Sequence, residues 1–293
     1  MRLLACTATF LSCFACAPSF ADARDAPDFA ARISAIESRA GGRIGVAAID
    51  TSSGRRLQYH ADQRFALCST YKLLLVAAIF SRVDGKEESP DRSIPISNRD
   101  LVDYAPVVSA HMRQGAMTVF DLCAAAVQYS DNSAANLLLR AIEGPRGLTR
   151  YLRSLGDSVT RLDRNEPSLN SNLPGDERDT TTPNAMLNLM QKILLQDALS
   201  PASGQKLLDL LIESKTGAAR LRAGMDPAWK VGSKSGSGDN GATNDVAVVW
   251  PERRPPIVIA VYYTDSPVNA EARDSVVASA GREVCREFLG SQK

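Results

Sequence analysis

Tyr71–Phe80 constrains this chain more than any other segment. Apart from Lys72, its ten residues are all Tyr, Leu, Val, Ala, Ile or Phe. A helix that is apolar on every side has to be enclosed on every side. The rest of the chain must therefore wrap around it, and an ammonium group goes inside with it. The length allows this: 293 residues, 44% hydrophobic and 23% charged, can bury a large core as one big domain or two modest ones. Collagen-like, coiled-coil and largely disordered organisations do not have this composition.

The patterns around that helix change twice. Before it, Asp28 precedes a stripe of Phe29, Ile33 and Ile36 that stops at Gly41-Gly42, predicting a helix. Ile44–Ile49, a Ser52-Ser53-Gly54 turn and Leu57–His60 then predict a β-hairpin. From Ala66 to about Ile212 the signals are helical. Asn132–Ile142 ends at Gly144, and Leu148, Tyr151, Leu152 and Leu155 form a stripe ending at Gly156. Thr182-Pro183 and Ser200-Pro201 each place a cap residue before a first-turn proline. Beyond Gly217, residues 229–237, 244–250 and 256–264 are strand-like, and Ser275–Leu289 is an amphipathic helix. Strands at both ends and helices between them imply a sheet built from the two termini with a helical domain inserted. The expected division is 22–60 plus 213–293 for the sheet domain and 61–212 for an all-helical one. Arg161–Pro183 has no period, and long irregular loops in compact proteins are usually functional.

The N-terminus carries an address. Arg2, an apolar stretch from Leu3 to about Ala17, Pro18 and the small-x-small Ser19-Phe20-Ala21 form a secretory signal peptide. A lipoprotein reading at Cys13 or Cys16 lacks the small residue and Leu that normally precede the cysteine. Cleavage after Ala21 leaves 272 residues with a formal charge of zero. The expected product is exported to the periplasm, soluble, and without membrane attachment. Its charge balance disfavours a protein built to neutralise nucleic-acid phosphates. The remaining cysteines, Cys68, Cys123 and Cys285, have no metal-ligand spacing, and His60 and His111 are the only histidines. No metal and no other cofactor is expected. With so few imidazoles, a catalytic serine needs a different base.

Four short motifs suggest one. Ser69-Thr70-Tyr71-Lys72 puts a hydroxyl and an amine one turn apart at the mouth of the buried helix. Burial lowers a lysine pKa, and a neutral amine is a usable base. The bland alternative is a capping serine beside a snorkelling lysine. Ser130-Asp131-Asn132 is the second motif, and its bland reading is a helix N-cap. Lys234-Ser235-Gly236, in a strand-like run, is the third: an ammonium, a hydroxyl and an unhindered backbone suit a substrate carboxylate. Lys215-Thr216-Gly217 has the same pattern but follows a helix end, so the later triad is preferred. Glu166-Pro167-Ser168-Leu169-Asn170 in the irregular loop is the fourth. Taken alone, its glutamate is a solvated surface charge.

In this order the four motifs resemble the class A serine β-lactamases. The resemblance spans nearly the whole chain after the leader. It implies an α/β (α+β) two-domain fold: an antiparallel five-stranded sheet flanked by helices, plus an all-helical domain, with the active site between. It also implies roles. Ser69 would be the nucleophile, and its N–H and that of Ser237 the oxyanion hole. Lys72 and Glu166 would be the candidate bases, and Ser130 the proton relay to the leaving nitrogen. Glu166 with Asn170 would position the hydrolytic water. Asn132 would hold the substrate's side-chain amide, and Tyr104 would wall the cleft. Lys234, Ser235, Gly236 and Arg220 would bind the substrate carboxylate, with Arg222 close enough to compete for that role. Arg164 and Asp179 would close the loop, and the Glu166-Pro167 bond would be cis.

Two departures stand out. Relatives with a cysteine just before the nucleophile bridge it to one where this chain has Gly238. Others pair a cysteine at position 123 with one where this chain has Val76. Three free buried thiols follow, and the missing first bridge weakens a carbapenemase reading. The implied partners are small β-lactam molecules acted on by a monomer. The alternatives are a penicillin-binding D,D-peptidase or transpeptidase, which lacks the loop glutamate, and a non-catalytic β-lactam sensor, which needs a signalling partner.

Overall fold

The computed structural model describes residues 26–290, so the expected signal peptide lies outside the described residues. The chain runs α1 (Ala26–Ala40), β1 (Arg43–Asp50), β2 (Arg56–Tyr59), β3 (Phe65–Ala66), α2 (Tyr71–Asp84), β4 (Ser93–Pro95), α3 (Pro106–His111), β5 (Ala116–Thr118) and α4 (Val119–Gln128). It continues α5 (Asn132–Ala141), α6 (Gly144–Ser154), β6 (Thr180–Thr181), α7 (Pro183–Leu195), α8 (Pro201–Ile212), β7 (Lys230–Ser237), β8 (Thr243–Trp250), β9 (Ile257–Thr264) and α9 (Ala270–Leu289).

The main sheet is antiparallel with order β2-β1-β9-β8-β7, so the two termini do build one sheet. The apolar runs of β1, β8 and β9 follow from both faces of the sheet being covered there. Ile44, Val46, Val249, Ile259 and Tyr263 pack with Phe29 and Ile33 of α1 and Val277 and Val284 of α9. The alternate residues Ala47, Val246, Val248, Val258, Ala260 and Tyr262 share a core with α2, α7 and the other helices. Helix α2 is buried from Tyr71 through Phe80, as its composition requires.

Three expectations need correction. The 61–212 segment is not all helical, because β3 pairs with β6 and β4 with β5. Strands of two or three residues are too short to carry a period of two. Helix α9 starts five residues earlier than expected: Asn269 caps it by accepting from Ala272 N, and its first turn has no large apolar residue to mark it. Helix α1 likewise begins at Ala26, ahead of Asp28. Thr182 and Ser200 do cap α7 and α8, each with proline in the first turn.

Candidate active site

A 3-10 turn, Cys68–Thr70, delivers the chain into α2 and leaves Ser69 partly exposed above the buried Lys72. Lys72 Nζ donates to Ser69 Oγ at 3.0 Å, to Ser130 O at 2.8 Å and to Asn132 Oδ1 at 2.5 Å. Ser130 Oγ makes a fourth, longer contact to the same nitrogen at 3.5 Å. Glu166 Oε1 lies 3.0 Å from the same nitrogen as an ion contact, and neither side chain is exposed to solvent. Burial lowers the Lys72 pKa, and the adjacent Glu166 carboxylate works against that shift.

Glu166 comes from the irregular loop, which four features hold in place. Asn136 Oδ1 accepts from Glu166 N and Asn136 Nδ2 donates to Glu166 O, both at 3.0 Å. Asn170 Nδ2 donates to Glu166 Oε2 at 2.6 Å. The Glu166-Pro167 peptide is cis. At the loop's neck the buried Asp179 carboxylate accepts from Arg164 Nε at 2.5 Å and from the backbone N–H groups of Asp163 and Arg164. The Ser168-Leu169-Asn170 pattern is a 3-10 turn inside this loop.

Ser130-Asp131-Asn132 satisfies both of its readings. Asp131 caps α5 by accepting from Ala134 N, and its other oxygen takes Val107 N and Val108 N. That anchors α3 and the Tyr104–Ala105 approach to it. Ser130 and Asn132 turn into the cleft instead. Ser130 Oγ accepts from Lys234 Nζ at 3.0 Å, so one hydroxyl bridges the lysines of two different motifs. Burial, reinforced by the charge on Lys72, pushes the Lys234 pKa well down.

Strand β7 forms the opposite wall. A Cβ on Gly236 would stand 3.0 Å from Ser69 N and 3.1 Å from Leu67 O, so a side chain there would press on the backbone at the nucleophile. Of the two arginines considered, Arg220 is the one that lines the cleft. Its Nη2 donates to Ser237 Oγ at 2.6 Å and its Nη1 to Gly236 O and Asn244 O, while Asp274 takes Nε at 2.7 Å. Arg222 points away, toward Ile212 O. The cleft has a volume of about 370 Å³, lined by Ser69, Tyr104, Ser130, Asn132, Asn170, Thr216, Gly217, Arg220, Ser235, Gly236 and Ser237. A larger hollow, about 450 Å³, lies elsewhere beside α7 and contains none of these groups.

Every residue expected at the site falls in or against this cleft. Sequence reasoning missed Asn136, and it set aside Thr216, which accepts from Ser235 Oγ at 2.9 Å. The Lys215-Thr216-Gly217 resemblance to the strand triad was a usable signal, since both segments face the same ligand space. Asn136 offered one as well, being four residues after Asn132 and therefore on the same helix face. Cys68, Cys123 and Cys285 are buried free thiols, as expected.

Residues 28–288 match the model of the beta-lactamase enzyme family. The chain is 42% identical to β-lactamase CTX-M-8 from Citrobacter amalonaticus, over 92% of this chain and 91% of that one. It is 43% identical to β-lactamase Toho-1 from Escherichia coli, over 88% of each. Among solved structures, the ancestral GNCA class A β-lactamase aligns with a TM-score of 0.87 at 54% identity, over 88% of this chain and 99% of that chain. The last common ancestor of Gram-negative class A β-lactamases (GNCA4) aligns with a TM-score of 0.87 at 55% identity, over 89% and 99%. Motifs, sheet order and whole-length similarity agree, and the chain belongs to the class A β-lactamase family.

Proposed function

We propose that this chain opens the lactam ring of penicillins and cephalosporins through an acyl-enzyme on Ser69, and so confers resistance to them. The carrying observation is the convergence on Lys72 Nζ, which lies 3.0 Å from both Ser69 Oγ and Glu166 Oε1. A hydroxyl, an amine and a carboxylate from two distant segments meet at the floor of the cleft, the amine and the carboxylate both buried. Ser69 attacks the lactam carbonyl, and its proton passes into the Lys72–Glu166 pair. The N–H groups of Ser69 and Ser237 receive the developing oxyanion, each worth roughly 3–4 kcal/mol. Ser130, bonded to Lys234, hands a proton to the departing ring nitrogen. Lys234, Ser235 and Arg220 hold the substrate carboxylate, with the Gly236 backbone leaving room for it. Asn132 takes the side-chain amide, and Tyr104, 59% exposed, walls the rim. Glu166 and Asn170 then aim a water at the ester. Glu166 is only 4% exposed, which a solvated loop charge would not be. This supports hydrolysis over a peptidase or sensor that stays acylated.

The 22–60 plus 213–293 and 61–212 division, a monomeric state and export with cleavage near Ala21 belong to the same proposal. Among the described residues no helix is long and apolar enough to cross a membrane. The deciding experiment is mass spectrometry after penicillin treatment. Glu166→Ala is expected to hold a stable adduct, with turnover down by about 10²–10⁴-fold, and Ser69→Ala to form none. Rapid loss of the Glu166→Ala adduct removes that residue from water activation, and continued hydrolysis by Ser69→Ala removes the nucleophile.

A further inference from the structure

The carboxylate-binding wall hides a group that the reaction scheme does not use. Asp245 on β8 is fully buried and stands directly opposite Ser235 in the β7–β8 register. Its Oδ2 accepts from Leu221 N at 3.1 Å, on the residue after Arg220. Its Oδ1 is buried without a hydrogen-bond partner. Gly217 covers the pair: a Cβ there would lie 2.9 Å from Ser235 Cβ and 3.7 Å from Asp245 Oδ2. The segment that brings Thr216 to Ser235 and Arg220 to Ser237 is thus pinned to the sheet beside this carboxylate.

A buried carboxylate with an idle oxygen costs stability, and an apolar β8 residue would pack as its neighbours do. The charges around it suggest why it is there. Lys234 on β7 and Arg220 and Arg222 on the adjoining turn all act on it, Asp274 of α9 is bonded to Arg220, and the facing β9 residue, Val261, is uncharged. Lys72 and Glu166 act in turn on Lys234.

We propose that Asp245 is a positioning residue for substrate-carboxylate recognition: it fixes the 216–221 turn over Ser235 and supplies the negative charge that keeps Lys234 cationic beside Arg220. This rests on the functional reading above. Burial pushes the carboxyl up to about 7, while Arg220, the Leu221 N–H, Lys234 and Arg222 pull it down. It is therefore ionised on the alkaline side, where Lys234 most needs a counter-charge.

The test is Asp245→Asn, which keeps an acceptor for Leu221 N and removes the charge. With benzylpenicillin, KM is expected to rise several-fold with kcat changed less, and the alkaline limb of kcat/KM to move to lower pH. With benzylpenicillin methyl ester, which lacks the carboxylate, neither change is expected. An unchanged KM and alkaline limb with the acid overturns the proposal, and so does an equal change with acid and ester, which marks a general structural or Lys72 effect. If the variant does not fold, the wild-type profile decides: the alkaline limb must be steeper or earlier with the acid than with the ester. Failure of the β-lactamase reading would show separately, as hydrolysis that survives Ser69→Ala.

Discussion

Cys68 precedes the nucleophile with a φ of 43°, in the left-handed region that side chains avoid, and Tyr104 and Ser130 on the other cleft walls share that region at 62° and 59°. Such strain costs on the order of 1–3 kcal/mol per residue and persists where surrounding structure over-determines it. At Cys68 the surroundings are close: a Cβ on Gly238 would lie 2.8 Å from its Sγ. Burial raises its thiol to about 12 and that of Cys285 likewise, and raises Cys123 further. The native chain without its leader is therefore expected to be inert toward Ellman's reagent at pH 8 and to release three thiols when denatured without reductant. Fewer than three would reveal a bridge. These residues also show what a sequence can display at this scale. Ser69 and Lys72 were legible because one helical turn fixes their relation, and Glu166 because a motif surrounds it. Asp245 was not, since a lone aspartate in a strand gives no sign of which face it takes or what covers it.

Among the elements, the 161–183 loop depends most on a few contacts. It brings Glu166 to Lys72, yet its regular structure is one short turn and the two-residue β6 paired to β3. The neck holds it: Asp179 is fully buried beneath Arg164, and Asp163 Oδ2 accepts from Asp179 N at 3.1 Å. Removing one partner of a buried pair leaves the other uncompensated, at about 3–5 kcal/mol. Arg164 is partly exposed and two backbone N–H groups still serve Asp179, so Arg164→Ala is expected at or below the lower end of that range, measured by urea unfolding. Deacylation should slow more than acylation, because Glu166 rides on the loop while Ser69 and Lys72 do not. Equal slowing of both steps in single-turnover experiments would detach the neck from the water-activating role. The large strands and helices were readable because both-sided burial makes apolar runs and caps mark helix starts. The loop's closure was readable only through resemblance, since Arg164 and Asp179 are ordinary charges until the chain folds them together.

Over the whole molecule, the sheet has one core against α1 and α9 and another against the inserted helices. The ionic groups of the cleft sit where those helices meet β7. Lys72, Lys234, Glu166 and Asp245 are all buried there, so the seam gives up stability for chemistry, as active sites commonly do. Asp245 makes that loss measurable. A carboxyl raised to about 7 in the folded state, from an ordinary value of 3.8, holds its proton more tightly folded than unfolded. Its contribution is fully favourable below about pH 4 and is lost as pH climbs through 7. At 1.36 kcal/mol per pKa unit the swing is on the order of 4 kcal/mol. The depressed carboxylates Asp50, Asp84, Asp100, Asp163 and Asp176 act in the opposite sense, gaining stability as pH rises from the acid side. All of them remain in Asp245→Asn and cancel when the two proteins are compared at each pH. The Tm difference, variant minus wild type, is therefore expected to become more positive by several degrees between pH 4.5 and pH 8.5. A flat difference would mean that Asp245 ionises in the fold as readily as in the open chain, and that the wall around Lys234 tolerates its charge at no cost.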